Sequence, residues 1–316
     1  MTENVTKKRA VPFSDAPARG WQPWGALAPL LGILFVLIPA LATLRPLEMT
    51  GLADGRGDPI GIAGWVVFLL LPFGLTGALV LGWVRFVERR PLATIGLSRP
   101  GGPRVFLIGL AIGTATIFAV VAASWSVGAL DPQGYVPGLA SPAALGGIAL
   151  LLLGFVVQAS AEELLFRGWL LSAVARKFNV TTAVVLSSAV FAFLHFSPGQ
   201  PLLVTVNVIL FALFACCWAL KAGNIWGVMG WHAGWNWLLA TGFELPVTGL
   251  DTHLPALIVK LVPAGPDYLT GGPQGPEGSI FCTGFFLIGT AFAALRRVRQ
   301  GQVELTLIAR QTPTKS

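Results

Sequence analysis

The sequence predicts an all-α polytopic membrane protein: a bundle of about eight transmembrane helices with both termini cytoplasmic. Composition is the first observation behind this. Of 316 residues 54% are hydrophobic and only 11% charged, against roughly 25% charged in soluble domains, and the mean hydropathy is +0.74. The second is a series of apolar runs, most of them near the ~20 residues that cross a bilayer core. The third is a lopsided distribution of Lys and Arg between alternate loops.

Residues 1–25 are polar and lack apolar periodicity, which predicts a flexible cytoplasmic tail. A helical membrane domain follows over 26–295, and a basic cytoplasmic tail over 296–316. Within the domain, runs free of Asp, Glu, Lys and Arg lie at about 26–44, 60–84 and 105–127. A fourth begins near Ala144 and continues into Glu162; others lie near 181–196, 202–220, 224–243 and 279–295. Pro29, Pro39 and Pro72 fall inside runs, where membrane helices accept kinks. Ala40-Leu41-Ala42 resembles a signal-peptidase site. The long basic tail and long apolar stretch instead predict a retained first helix. The Pro/Gly-rich segment 244–278 contains an apolar patch, Leu254–Leu261, too short to span and placed by its composition at the membrane surface.

On one side of the eight-helix scheme lie Lys7, Lys8, Arg9, Arg19, Arg85, Arg89, Arg90, Arg99, Arg104, Arg176, Arg297 and six more basic residues, 17 in all; opposite them are Arg45, Arg56 and Lys260. That bias accounts for the net charge of +7 as a topology signal, so no nucleic-acid partner is expected. The partners expected are the lipid bilayer and a membrane-associated protein or peptide. Cys216, Cys217 and Cys282 have no metal-ligand spacing and read as small apolar residues.

Inside this apolar frame the groups capable of chemistry are few: Glu162, Glu163, Arg167, His195, Asn207, His232 and Asn236, with Gln158 and several hydroxyls. A charge at membrane depth costs about 2.5–3.5 kcal/mol even on the insertion scale. Lone membrane histidines often serve as structural hydrogen-bond donors, but two histidines beside two glutamates and an arginine point to function. Glu163 and Arg167 are four apart, share a helical face and can pair. Glu162, rotated about 100° away, lacks that partner and is suited to general base or acid work. Glu163 and His195 are each 16 positions from Asn179, the centre of the turn between their helices. Both therefore lie roughly 24 Å up antiparallel helices and can face each other. Phe191, one turn before His195, can fix its ring. His232 and Asn236 share a face of a third helix, at a compatible though shallower depth.

Glu162 and His195 can then hold and deprotonate a water, while His232 and Asn236 donate to a developing oxyanion. This equips the site for peptide hydrolysis with no cofactor. Zinc is the rival use of Glu162, His195 and His232, although no His-Glu-x-x-His segment exists. A proton-coupled transporter using Glu162, Glu163 and His195 as a relay is a second alternative, and a catalytically idle scaffold or immunity protein a third. The absence of a visible repeat weighs against the transporter.

Glu162-Glu163-x-x-x-Arg167, Phe191-x-x-x-His195 and His232-x-x-x-Asn236 together resemble the three motifs of the CPBP intramembrane proteases. That family includes the CAAX prenyl endopeptidase Rce1 and bacteriocin-processing and immunity proteins. The loop Arg90-Pro91-Leu92-Ala93-Thr94-Ile95-Gly96-Leu97 resembles a stretch often found upstream in it. The resemblance implies an eight-helix endopeptidase with a glutamate-activated water at Glu162 and His195. It further implies oxyanion support from His232 and Asn236, and a structural role for Glu163 and Arg167. Members have been described both as metalloproteases and as metal-free. The location expected is the plasma (inner) membrane of a bacterium.

Overall fold

A computed structural model describes residues 11–98 and 100–294. The first ten residues, Arg99 and residues 295–316, with the basic tail 296–316, lie outside them. Among the described residues five helices are long and apolar enough to cross a membrane. They are α1 (Leu27–Met49), α2 (Gly61–Val87), α3 (Gly102–Ser126), α4 (Pro142–Lys177) and α6 (Leu202–Ala222). Shorter are α5 (Val180–Leu194), α7 (Trp226–Gly242) and α8 (Ile280–Ala294). The chain is an all-α membrane protein, with one small sheet among the described residues.

That sheet joins β1 (Leu130–Tyr135) to β2 (Val259–Pro263), antiparallel, with a bulge between Pro132 and Gly134. Here the structure corrects the sequence reading of the patch Leu254–Leu261. Leu254, Ala256, Val259 and Leu261 are buried, and Val259–Leu261 pair with β1, so these side chains pack within the protein and their backbone groups in the strand are satisfied there. The segment 244–278 thus folds into a roof over one end of the bundle. Residues 11–25, read as tail, also lie against the body. Gly20 N–H donates to the Glu88 carbonyl at 3.0 Å, Arg176 Nη2 donates to the Ser14 carbonyl at 2.9 Å, and Phe13 packs on the core.

Two features explain how the helices are held. Pro39 in α1 has no N–H to offer the carbonyl four residues back, that of Phe35; Thr76 Oγ1 of α2 donates to it instead, at 3.0 Å. Helices α3 and α7 meet through glycine. A Cβ on Gly113 would overlap the Trp231 carbonyl, and one on Gly230 the Phe106 carbonyl. Gly109-x-x-x-Gly113 and Gly230-x-x-x-Gly234 therefore let two backbones approach as small-residue membrane interfaces do. Residues 232 and 236 sit about 200° round the helix from 230 and 234. The glycine face against α3 consequently turns His232 and Asn236 toward the bundle interior.

Candidate active site

Helix α4 is α-helical to Glu163 and then π-helical over Leu164–Leu170. Such bulges are frequent at functional sites, and every residue of this one is buried. Ser187 Oγ of α5 donates to the Phe166 carbonyl inside it at 2.8 Å. The widened turn leaves the Glu163–Arg167 pair intact: Arg167 Nη1 donates to Glu163 Oε1 at 2.9 Å, both side chains being fully buried. The guanidinium also stacks over the ring of Phe191, 4.4 Å from its centroid.

All four residues expected to act on substrate line one cavity of about 320 Å³: Glu162 of α4, His195 at the end of α5, and His232 and Asn236 of α7; Phe191, Gln158 and Asn207 line it too. Aromatic residues of α2, among them Trp65 and Phe73, and roof residues such as Thr248 and Leu250 line the rest. His195 lies one position past the last residue of α5, at its cap, rather than within the helix. Its ring stacks on Phe191 (4.1 Å, 22°), as the four-residue spacing predicts, and its Nδ1 is 2.9 Å from the Phe191 carbonyl. A carbonyl only accepts, so Nδ1 carries the proton and Nε2 is the free nitrogen.

His232 is not shallower than the glutamates but level with them. Its Nδ1 is 2.9 Å from Glu163 Oε1, and its Nε2 is 3.9 Å from Glu162 Oε2. Counting residues from the turn before α7 missed this, because depth also depends on how the short helices are offset along their axes. Glu163 is thus shared between Arg167 and His232. Glu162 Oε2 has no hydrogen-bond partner within the protein. Asn236 Nδ2 donates to Gln158 Oε1 at 3.0 Å, which fixes the amide and leaves its second N–H. Phe211 of α6, absent from the sequence reading, lies edge-on to His232 (4.8 Å, 69°) and stacked on Phe191 (5.4 Å, 7°). It joins the two histidines through one aromatic layer. Glu277 was missed as well; the signal available was a lone carboxylate between Gly275-Pro276 and Gly278-Ser279, just ahead of α8.

Among the described residues no group of three or more His, Cys, Asp or Glu side chains stands together as a metal set would. In this arrangement Glu162, His195 and His232 line a common cavity without converging on a point.

Residues 144–238 match the family model described as Type II CAAX prenyl endopeptidase Rce1-like. That stretch, less than a third of the chain, is similar to the Rce1-like endopeptidases. That match spans all three motifs and ends within α7, so the roof and α8 lie beyond it. No curated protein and no solved structure matches the chain.

Proposed function

We propose that the protein is an intramembrane endopeptidase that hydrolyses a peptide bond of a membrane-associated protein or peptide with a glutamate-activated water. The observation that carries this is the convergence of Glu162, His195, His232 and Asn236 on one cavity within an apolar bundle, inside the stretch that matches an endopeptidase family. Glu162, with an oxygen no protein group occupies, takes a proton from water as the water oxygen bonds to the scissile carbonyl carbon. His195 orients that water through Nε2. The carbonyl oxygen becomes an oxyanion, and Asn236 donates to it through its second amide hydrogen. His232 can donate from Nε2 only as imidazolium, since Nδ1 already serves Glu163. The proton on Glu162 then passes to the departing nitrogen, giving a carboxylate and an amine.

The eight apolar helices are all read as spanning or lining the membrane, with both termini on the cytoplasmic side of a bacterial plasma membrane. The three short ones line the site together with α2, α4, α6 and the roof. On this reading Glu163 and Arg167 hold the helix and do not touch substrate.

The test is a cleavage assay on purified protein with Glu162→Ala, His195→Ala and Glu163→Ala. Wild-type-like cleavage by Glu162→Ala sinks the mechanism. A chelator series on the same preparation decides the zinc alternative: loss of activity that zinc restores would establish a metalloprotease. A comparison of membrane proteomes with and without the Glu162→Ala allele identifies the substrate without guessing one.

A further inference from the structure

Glu277 lies outside the three motifs and beyond the family match, yet it lines the same cavity as Glu162 and His232. Three donors from two elements converge on its carboxylate. Trp235 Nε1 of α7 donates to Oε1 at 2.9 Å; Thr248 N–H and Thr248 Oγ1 of the roof donate to Oε2 at 2.7 and 3.0 Å. Its backbone carbonyl accepts from Asn207 Nδ2 of α6 at 2.8 Å. Both carboxylate oxygens are taken up by the protein, so Glu277 is not a free base.

Its partners give it leverage. Trp235 is fully buried and sits between His232 and Asn236 on their helix. Thr248 adopts φ 50, a left-handed conformation that is an outlier for a β-branched residue. It persists only where surrounding contacts over-determine it. The Thr248 turn, closed by the bridge between Val247 and Leu250, forms the inner surface of the roof and is tied down through its own N–H. Behind it, a Cβ on Gly275 would overlap the Pro246 carbonyl, so the two roof strands of chain are in backbone contact.

We propose that Glu277 is a positioning residue: it seats the 247–252 turn over the cavity and holds Trp235 behind the site, so that the roof selects what fits beneath it. Two acceptor oxygens are required. The amide of Glu277→Gln would turn an N–H toward either the indole or the Thr248 amide, both of which are donors. Glu277→Asp keeps two acceptors on a shorter stem.

The substrate-selection part rests on the protease reading, and the experiment separates the two. Backbone hydrogen exchange and the Trp235 indole N–H resonance are followed in wild type, Glu277→Gln, Glu277→Asp and Glu277→Gln/Thr248→Gly in detergent. Cleavage of a panel of peptides differing in apolar bulk is measured on the same samples. The expected result is exchange at 247–252 raised about tenfold or more in Glu277→Gln, from loss of hydrogen bonds to a charged group. A shifted indole signal and a smaller change in Glu277→Asp accompany it. Thr248→Gly relieves the strained φ but also removes the hydroxyl donor and loosens the backbone, so the double variant is expected to exchange at least as fast as Glu277→Gln. Glu277→Gln should raise KM and broaden the peptides accepted while the pH profile of kcat stays that of wild type. Protection within twofold of wild type in Glu277→Gln overturns the seating role. A loosened roof with an unchanged peptide profile overturns the selection role. Should wild type cleave nothing in the panel, the selection role falls with the protease reading, and exchange alone still decides the seating role. Where Glu277→Gln does not fold, Thr248→Ala, which removes the hydroxyl donor alone, is expected to raise exchange in the same turn, and unchanged exchange there counts against the proposal.

Discussion

Two buried acid–base clusters grip the same bulged helix, and they are built differently. At one, Glu88 Oε1 accepts from the indoles of Trp83 and Trp169, at 3.0 and 2.7 Å, while Oε2 takes Arg90. Arg90 Nη1 reaches Ser172 Oγ at 2.9 Å, beyond the π turn, and Arg89 between the two turns to φ 49 so that both neighbours point inward. Burial pushes the Arg90 guanidinium down from its ordinary value, and Glu88 beside it pushes the other way. At the other, Glu163 Oε1 carries both Arg167 and His232, while Glu163 Oε2 and Glu162 Oε2 have no partner within the protein. The same residue types give a carboxylate closed on every side in one place and an open one facing a cavity in the other. A closed carboxylate specifies position; an open one leaves acceptor capacity for something that enters.

The sharpest way to break this comparison is to remove the open carboxylate. Glu162→Ala should lower the cleavage rate by about 10²- to 10⁴-fold, the range for loss of a general base, and leave the thermal midpoint in detergent unchanged. If it destabilises the protein as a brace variant does, Glu162 belongs with the closed set. Arg167→Ala is the complementary experiment. It leaves the buried Glu163 charge with His232 alone and should cost about 3–5 kcal/mol of stability, read from denaturant unfolding. Glu88→Gln tests the closed cluster with little change of shape. One amide oxygen cannot serve two indoles and a guanidinium, so a loss of about 1–3 kcal/mol is expected, with activity falling only as far as the folded fraction does.

The two clusters also mark how far the sequence could be read. Glu162, Glu163, Arg167, His195, His232 and Asn236 stood out because charge and amide groups are rare among apolar residues, and helical spacing assigned Glu163 to Arg167. The helical membrane class followed from the same scarcity of charge. What escaped was whatever regular geometry does not encode. The π turn at Leu164–Leu170 changes no residue type, so nothing in the pattern announces it. The level of His232 with Glu163 depends on how α7 is offset along α3, and Gly230-x-x-x-Gly234 was the unread signal for that contact. Glu277 and Thr248 sit in a Pro/Gly-rich segment without periodicity, where neither helical nor strand spacing places a side chain.

The smallest effect tests whether position without charge also matters. Gly230→Ala adds one methyl where the Phe106 carbonyl of α3 already stands. Two backbones must separate, and overpacking of this kind costs about 1–3 kcal/mol. Because His232 lies two residues on, the shift moves Nδ1 away from Glu163 and Nε2 away from Glu162. Cleavage should therefore fall by more than the lost folded fraction accounts for. Gly146→Ala on α4 meets nothing within 4 Å and should instead stabilise by roughly 0.5–1 kcal/mol, the ordinary helical gain over glycine. The two variants, compared by thermal midpoint and by rate per folded molecule, separate a generic glycine effect from one transmitted through α7. Equal rates per folded molecule would mean that the α3–α7 contact holds the bundle without setting the position of His232.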